Sequence, residues 1–220
     1  MTHVFDVDHT VLAGSSMGYF VREALGEGIL RPWQLRWLPL EWLRYCLGRP
    51  DPDFIEKAVA LMAGIDRERL ELAAERCFEP RMRRDVYPGA AALIRGALER
   101  GERVIFASAS FRPVLRPLER FLGVSGSIAC EPEYGADGRT TGRLVGASPF
   151  GQKKKAAVEA WLAENGIEAA DVSFYSDSYV DIPLLEHCGR PVAVNPDRTL
   201  ARKARECGWE IMRFAKGEER

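Results

Sequence analysis

The sequence predicts an α/β fold in which a parallel sheet is covered by helices and a helical block is inserted near the N-terminus. Three observations carry this. Residues 3–7 form a short apolar stretch that reads as a buried strand. From residue 86 onward, strand and helix patterns alternate, the signature of a parallel sheet with crossover helices. Between the two, residues 16–79 show helical periodicity and no strand candidate.

The elements follow in order. SMGYFVREAL, DPDFIEKAVALM and DRERLELAAERCF space their apolar residues as helices do, and Pro32, Pro39, Pro50 and Pro52 break the block into pieces. VYPGAAALIRGALERG reads as a helix stopped near Gly101, and RVIFASAS as a buried strand. FRPVLRPLERFLG is helical up to Gly123. SIACEPEY and RTTGRLVG flank Ala136-Asp137-Gly138, a hairpin turn signal. KKAAVEAWLAENG is a helix, DVSFYSDS a strand, IPLLEHCG a short helix, PVAVN a strand and DRTLARKARECG a last helix. GWEIMRF is a candidate edge strand, and the KGEER tail is expected to fray. The simplest assembly puts the first strand in the same sheet, with residues 15–80 as an insert.

A chain of 220 residues can bury a good core, as one large domain or as a core with a smaller insert. The formal net charge of −1 provides no global field for nucleic acid or an anionic membrane. Five scattered cysteines, Cys46, Cys77, Cys130, Cys188 and Cys207, never stand in CxxC spacing. That argues against a disulfide framework and a structural zinc site. There is no basic region leading into a long apolar run and no stretch of membrane-spanning length, so a cytoplasmic protein is expected.

The chemistry gathers at predicted strand ends. The first strand runs into Asp6 and Asp8, followed by Thr10; VIFAS ends at Ser108; the helix after the hairpin starts with Lys153, Lys154 and Lys155; VSFYSDS delivers Asp177, with Asp181 four residues on. In a parallel sheet all strand C-termini share one edge, so these groups can converge. Three carboxylates offer hard oxygen ligands suited to Mg²⁺, and a hydroxyl and an ammonium suit phosphate oxygens. A carboxylate in such a site can attack phosphorus. Each residue also has a plainer reading. Asp6 and Asp8 could belong to a turn or cap, Ser108 could satisfy strand-end backbone groups, Asp177 could be a turn residue, and Asp181 could cap the following helix.

Four signatures in this order resemble the haloacid dehalogenase superfamily, in the branch similar to phosphoserine phosphatase. They are Asp6-Val7-Asp8-His9-Thr10, VIFAS ending at Ser108, the lysine in GQKKKAAV, and Asp177-Ser178-Tyr179-Val180-Asp181. The hairpin DGRTTGRL also resembles that branch. The resemblance spans nearly the whole chain and is weakest in the insert. It implies a three-layer α/β/α Rossmann-like core over residues 1–14 and 81–220, with an all-helical cap over residues 15–80. It implies Asp6 as nucleophile and Asp8 as general acid and base. It implies Mg²⁺ held by the Asp6 carboxylate, the Asp8 main-chain carbonyl and Asp177. Ser108 and Ala109 would bind the phosphoryl group, a lysine would neutralise its charge, and Thr10 and Asp181 would support from behind. Among the lysines, Lys154 is chosen: Ala157 and Val158 lie three and four residues on, starting a buried face, and the family's spacing agrees. Lys153 and Lys155 are expected to be solvated.

His9 is read as a spacer facing away, and His3 and His187 as structural or exposed, without evident partners. The segment PWQLRWLPLEWLRYCLGR holds Trp33, Trp37, Trp42 and Tyr45 among Arg36, Arg44 and Arg49. It is read as cap helices with inward aromatics and snorkelling arginines rather than a membrane surface. Three departures from phosphoserine phosphatases stand out. Ser15 occupies the place of a glutamate that reads the substrate's amino group, Ser108-Ala109-Ser110 replaces Ser-Gly-Gly, and Val180 replaces an asparagine. These changes put phosphoserine itself in doubt, and the expectation is a Mg²⁺-dependent phosphatase for a small phosphorylated metabolite, acting through an aspartyl-phosphate. Two rivals use the same groups: a phosphotransferase to an acceptor hydroxyl, and a non-catalytic phospho-acceptor module. The latter does not carry a large helical insert.

Overall fold

The computed structural model describes residues 1–47, 51 and 53–217. The side chains of Trp42 and Tyr45, together with Arg49, Pro50, Pro52 and the last three residues of the KGEER tail, lie outside the described residues.

The chain enters through β1 (Thr2–Phe5), then runs through four helices: α1 (Ser16–Gly26), α2 (Leu38–Cys46), α3 (Phe54–Ala60) and α4 (Arg67–Cys77). It continues through α5 (Pro88–Glu99), β2 (Arg103–Phe111), α6 (Arg112–Leu122) and β3 (Ser127–Cys130). The short strands β4 (Pro132–Tyr134) and β5 (Thr140–Leu144) follow, then α7 (Gln152–Glu164), β6 (Val172–Ser176), α8 (Ile182–Leu185), β7 (Arg190–Val194), α9 (Arg198–Cys207) and β8 (Glu210–Met212).

Six strands form one sheet in the order β3-β2-β1-β6-β7-β8, every pair parallel. β1 is central and buried on both faces, which is why THVF reads as a continuous run rather than an alternating one. Successive side chains along each strand feed opposite layers. Phe5, Phe106 and Tyr175 join the core under α5 and α6, whereas Val4, Ile105 and Phe174 join the core under α7, α8 and α9. This is the expected three-layer α/β/α arrangement with a helical insert region.

The insert is not uniform. Leu70, Ala73, Ala74 and Cys77 of α4, and Phe20 and Ala24 of α1, share one apolar core with Phe111, Val114, Leu115 and Leu118 at α6. Arg116 and Arg120 of α6 pair with Glu71 and Glu75 of α4 across the same contact. α2 stands away from that core, and α3 joins it through buried Val59, with Ile55 packed alongside. Trp37 packs edge-on against Phe54 with ring centroids 5.6 Å apart, in line with an inward aromatic. Trp33 differs: it is 56% exposed, with the Arg31 guanidinium over its ring. Leu40, Leu43 and Leu47 are exposed as well. No helix among the described residues is long and apolar enough to cross a membrane.

Two local expectations change. SIACEPEY is not one arm of a hairpin. SIAC is β3 of the main sheet, parallel to β2, and the chain breaks at Pro132, which lacks the N–H needed to continue the ladder. Only β4 pairs antiparallel with β5. His3 and His187 do have partners. The His3 ring lies 3.0 Å from the Tyr175 hydroxyl and 3.1 Å from Glu102, and His187 Nε2 lies 3.2 Å from Glu159.

Candidate active site

The polar strand ends converge on one cavity of about 500 Å³. Asp6, Asp8, Ser108, Ala109, Lys154, Asp177 and Asp181 all line it. Asp6 follows directly on β1, its N–H donating to the Tyr175 carbonyl, so the central strand fixes its position. The chain then turns back sharply, with the N–H groups of Val11 and Leu12 both donating to the Val7 carbonyl at 2.9 Å. His9 takes φ +58° in that turn, a left-handed conformation uncommon for a residue with a side chain. Its side chain is exposed at the cavity wall, where a spacer facing away was expected.

Lys154 lies in the first turn of α7 and is 5% exposed. It shares a buried stripe with Val158 and Leu162, four and eight residues on, the helical period that singled it out. Its Nζ donates to Asp6 Oδ1 at 2.8 Å and to Asp181 Oδ2 at 2.8 Å. Ser176 Oγ also donates to Asp181 Oδ2 at 2.7 Å. Asp181 therefore grips the lysine, and its carboxylate makes no capping bond to α8. The neighbouring lysines diverge: Lys153 donates to Glu56 of α3, and Lys155 lies near Glu159.

Asp8 is held by the start of α1. Its Oδ2 accepts from Ser15 Oγ at 2.9 Å, and its Oδ1 accepts from the Ser16 N–H at 2.9 Å and from the Ser16 hydroxyl. Ser16 Oγ also meets Ser110 Oγ of β2. Ser108 Oγ accepts from the Ser110 N–H at 3.2 Å and faces the cavity, so its backbone and pocket readings hold together. Thr10 Oγ1 donates to Asp177 Oδ1 at 3.3 Å. Asp197 anchors the acidic loop: its Oδ2 accepts from the Tyr179 N–H, its own N–H donates to the Asp177 carbonyl, and it caps α9. Ser16 and Asp197 were not singled out from sequence, and Ser110 stood out there only as a departure from Ser-Gly-Gly. Of the first two, only Asp197 left a signal there, as an aspartate just ahead of a helical run.

The electrostatics call for a further cation. Burial pushes the Asp6 carboxyl up to about 7, although the adjacent Lys154 ammonium opposes the shift. Burial also raises Asp177 well above the usual carboxylate range, and the Asp6 charge adds to it. Burial alone would lower Lys154; Asp181 and Asp6 outweigh it and hold the ammonium above the ordinary lysine value. One buried ammonium is thus set against three carboxylates. A divalent cation between Asp6 and Asp177 would reverse both upward shifts. Among the described residues no three His, Cys, Asp or Glu side chains form a ready metal cluster. The Asp8 carboxylate is occupied by Ser15 and Ser16, so the Asp6 and Asp177 carboxylates are the donors to hand. That all-oxygen set fits Mg²⁺.

Comparison with known proteins bears on this geometry. A family model described as haloacid dehalogenase-like hydrolase matches residues 3–186. The chain is 30% identical over 220 residues to the phosphoserine phosphatase SerB1 of Mycobacterium tuberculosis, covering 96% of this chain and 70% of the relative. It is 27% identical to a histidinol-phosphatase of Neisseria meningitidis serogroup C, covering 96% and 97%. A crystal structure of a protein with unknown function from Bordetella pertussis Tohama I superposes with a TM-score of 0.83 at 32% identity, covering 96% and 97%.

Proposed function

The chain belongs to the haloacid dehalogenase-like hydrolases, and from that premise we propose that it hydrolyses a small phosphate monoester with Asp6 as nucleophile. The observation that carries this reading is the buried Lys154 ammonium bridging Asp6 and Asp181, 2.8 Å from each, on the floor of a cavity that Ser108 and Asp177 also line.

In the proposed reaction an Asp6 oxygen bonds to phosphorus as the ester P–O bond breaks. Asp8 gives its proton to the leaving alkoxide. A water then attacks the aspartyl-phosphate, Asp8 takes its proton, and inorganic phosphate leaves with Asp6 restored. Ser108 and Ala109, which line the cavity, bind phosphoryl oxygens in this scheme. Lys154 offsets the charge on phosphate and nucleophile, and Asp181 with Ser176 positions that lysine. Thr10 orients Asp177. Mg²⁺ would be held by Asp6, Asp177 and the Asp8 main-chain carbonyl, where it would supply Lewis-acid neutralisation of the phosphoryl oxygens. Residues 15–80 act as a cap over the core of residues 1–14 and 81–220, with α2 and α3 the part above the cavity. The relatives' names, phosphoserine phosphatase and histidinol-phosphatase, support a small phosphorylated metabolite as substrate.

Asp6→Asn tests the reading. Phosphate release from a panel of phosphorylated metabolites with Mg²⁺ should fall at least ~10⁴-fold while circular dichroism stays unchanged. Retained turnover would refute the nucleophile assignment.

A further inference from the structure

Resting on the phosphatase reading and deepening it, we propose that Glu41 selects substrates whose end remote from the phosphate carries a protonated nitrogen and no carboxylate. Glu41 lies on α2, which the known signatures do not reach. It lines the same cavity as Asp6 and Lys154, and is 8% exposed. Its Oε1 accepts from Arg44 at 2.6 Å. Its Oε2 is buried with no hydrogen-bond partner among the described residues. A buried carboxylate oxygen without a donor is costly, so a donor arriving with the substrate is strongly favoured there.

The surroundings narrow the donor's chemistry. Met17, Leu38, Phe54, Ile55, Phe150 and Val180 supply an apolar wall, which suits a flat or aliphatic body between phosphate and cation. Among the described residues, the arginine and lysine beside Glu41 and Asp51 are already engaged: Arg44 on Glu41 Oε1 and 3.6 Å from Asp51, and Lys57 on Asp51. Asp51 also faces the cavity. A second carboxylate on the substrate would meet Glu41 and Asp51 with no spare lysine or arginine beside them among the described residues. Amino alcohol phosphates, or phosphates bearing a protonated ring nitrogen, therefore fit; amino acid phosphates do not. Ser15, standing where phosphoserine phosphatases place their amine-reading glutamate, accords with a cation site moved from α1 to α2.

The experiment uses the full chain with Mg²⁺ and three matched esters: para-(aminomethyl)benzyl, para-methylbenzyl and para-carboxybenzyl phosphate. Wild type should favour the amino ester over the methyl ester by about 10- to 100-fold in kcat/KM, mostly through KM, and should disfavour the carboxy ester. Glu41→Gln should bring the amino-to-methyl ratio close to one. A wild-type ratio near one, or a ratio unchanged in Glu41→Gln, overturns the Glu41 assignment while leaving the phosphatase intact. If Glu41→Gln fails to fold, a wild-type ratio near one still overturns the assignment, and Asp51→Asn separates the two carboxylates: the ratio should stay high in it, and its collapse there would move the site from Glu41 to Asp51. No hydrolysis of any ester overturns both the assignment and the phosphatase reading beneath it.

Discussion

The floor and the roof of the cavity are built on opposite principles. The floor hangs from the ends of β1, β2 and β6 and the first turn of α7, all inside the two cores. Its charges touch one another directly: Lys154 on Asp6 and Asp181, Thr10 on Asp177, Ser15 and Ser16 on Asp8. The roof, α2 and α3, shows solvent Leu40, Leu43 and Leu47. Val59 of α3 reaches the apolar core, and polar contacts add to it, among them Ser148 Oγ and Lys153 Nζ on Glu56, each at 2.9 Å. The floor is held by packing, whereas the roof rests on one buried side chain of α3 and a set of hydrogen bonds.

Breaking the floor should cost most. Lys154→Met leaves Asp6 and Asp181 facing each other without their shared cation. Urea denaturation should show a loss of about 3–5 kcal/mol, and turnover should drop at least ~100-fold. A stable, active Lys154→Met protein would mean that the floor is not charge-locked. Loosening the roof should cost far less. Glu56→Ala removes the acceptor for Ser148 and Lys153, worth about 1 kcal/mol. KM should rise by up to about 5-fold with kcat within about 2-fold. A kcat loss above about ten-fold would erase the distinction between the two regions.

The smallest effect belongs at the opposite end of β1. Burial lowers the His3 pKa below its ordinary value, with the Glu102 interaction opposing it. The folded state therefore prefers neutral His3. Its contribution is present above the unfolded pKa, near 6.5, and is lost as pH falls through the lower folded value. Denaturation midpoints measured from pH 7.5 down to about 5 should fall less steeply for His3→Gln than for wild type. Equal slopes would remove His3 from the balance.

Legibility in the sequence follows the same division. Asp6, Asp8, Ser108 and Asp177 could be placed because a parallel sheet brings strand ends to one edge whatever the loops do. Lys154 could be chosen because a buried helix face has a fixed period. Asp181 remained ambiguous, since capping and lysine-gripping call for the same residue type at the same spot, and only the hydrogen bonds from Lys154 and Ser176 separate them. The break in SIACEPEY was hidden because two apolar stretches joined by a single Glu-Pro read as one strand. Glu41 left no trace at all. Its meaning depends on where α2 lies above the cavity, and that is set by long-range packing rather than by neighbours in sequence. For the same reason, the exposure of Trp33 could not be read from its apolar company.

The apolar seam joining α1 and α4 to α6 limits how the insert could be exchanged among relatives. Grafting another helical block between residues 15 and 80 would place a foreign surface against Val114, Leu115 and Leu118. A workable chimaera must therefore bring its own version of the α6 face, so that a swap in specificity carries part of the catalytic body with it.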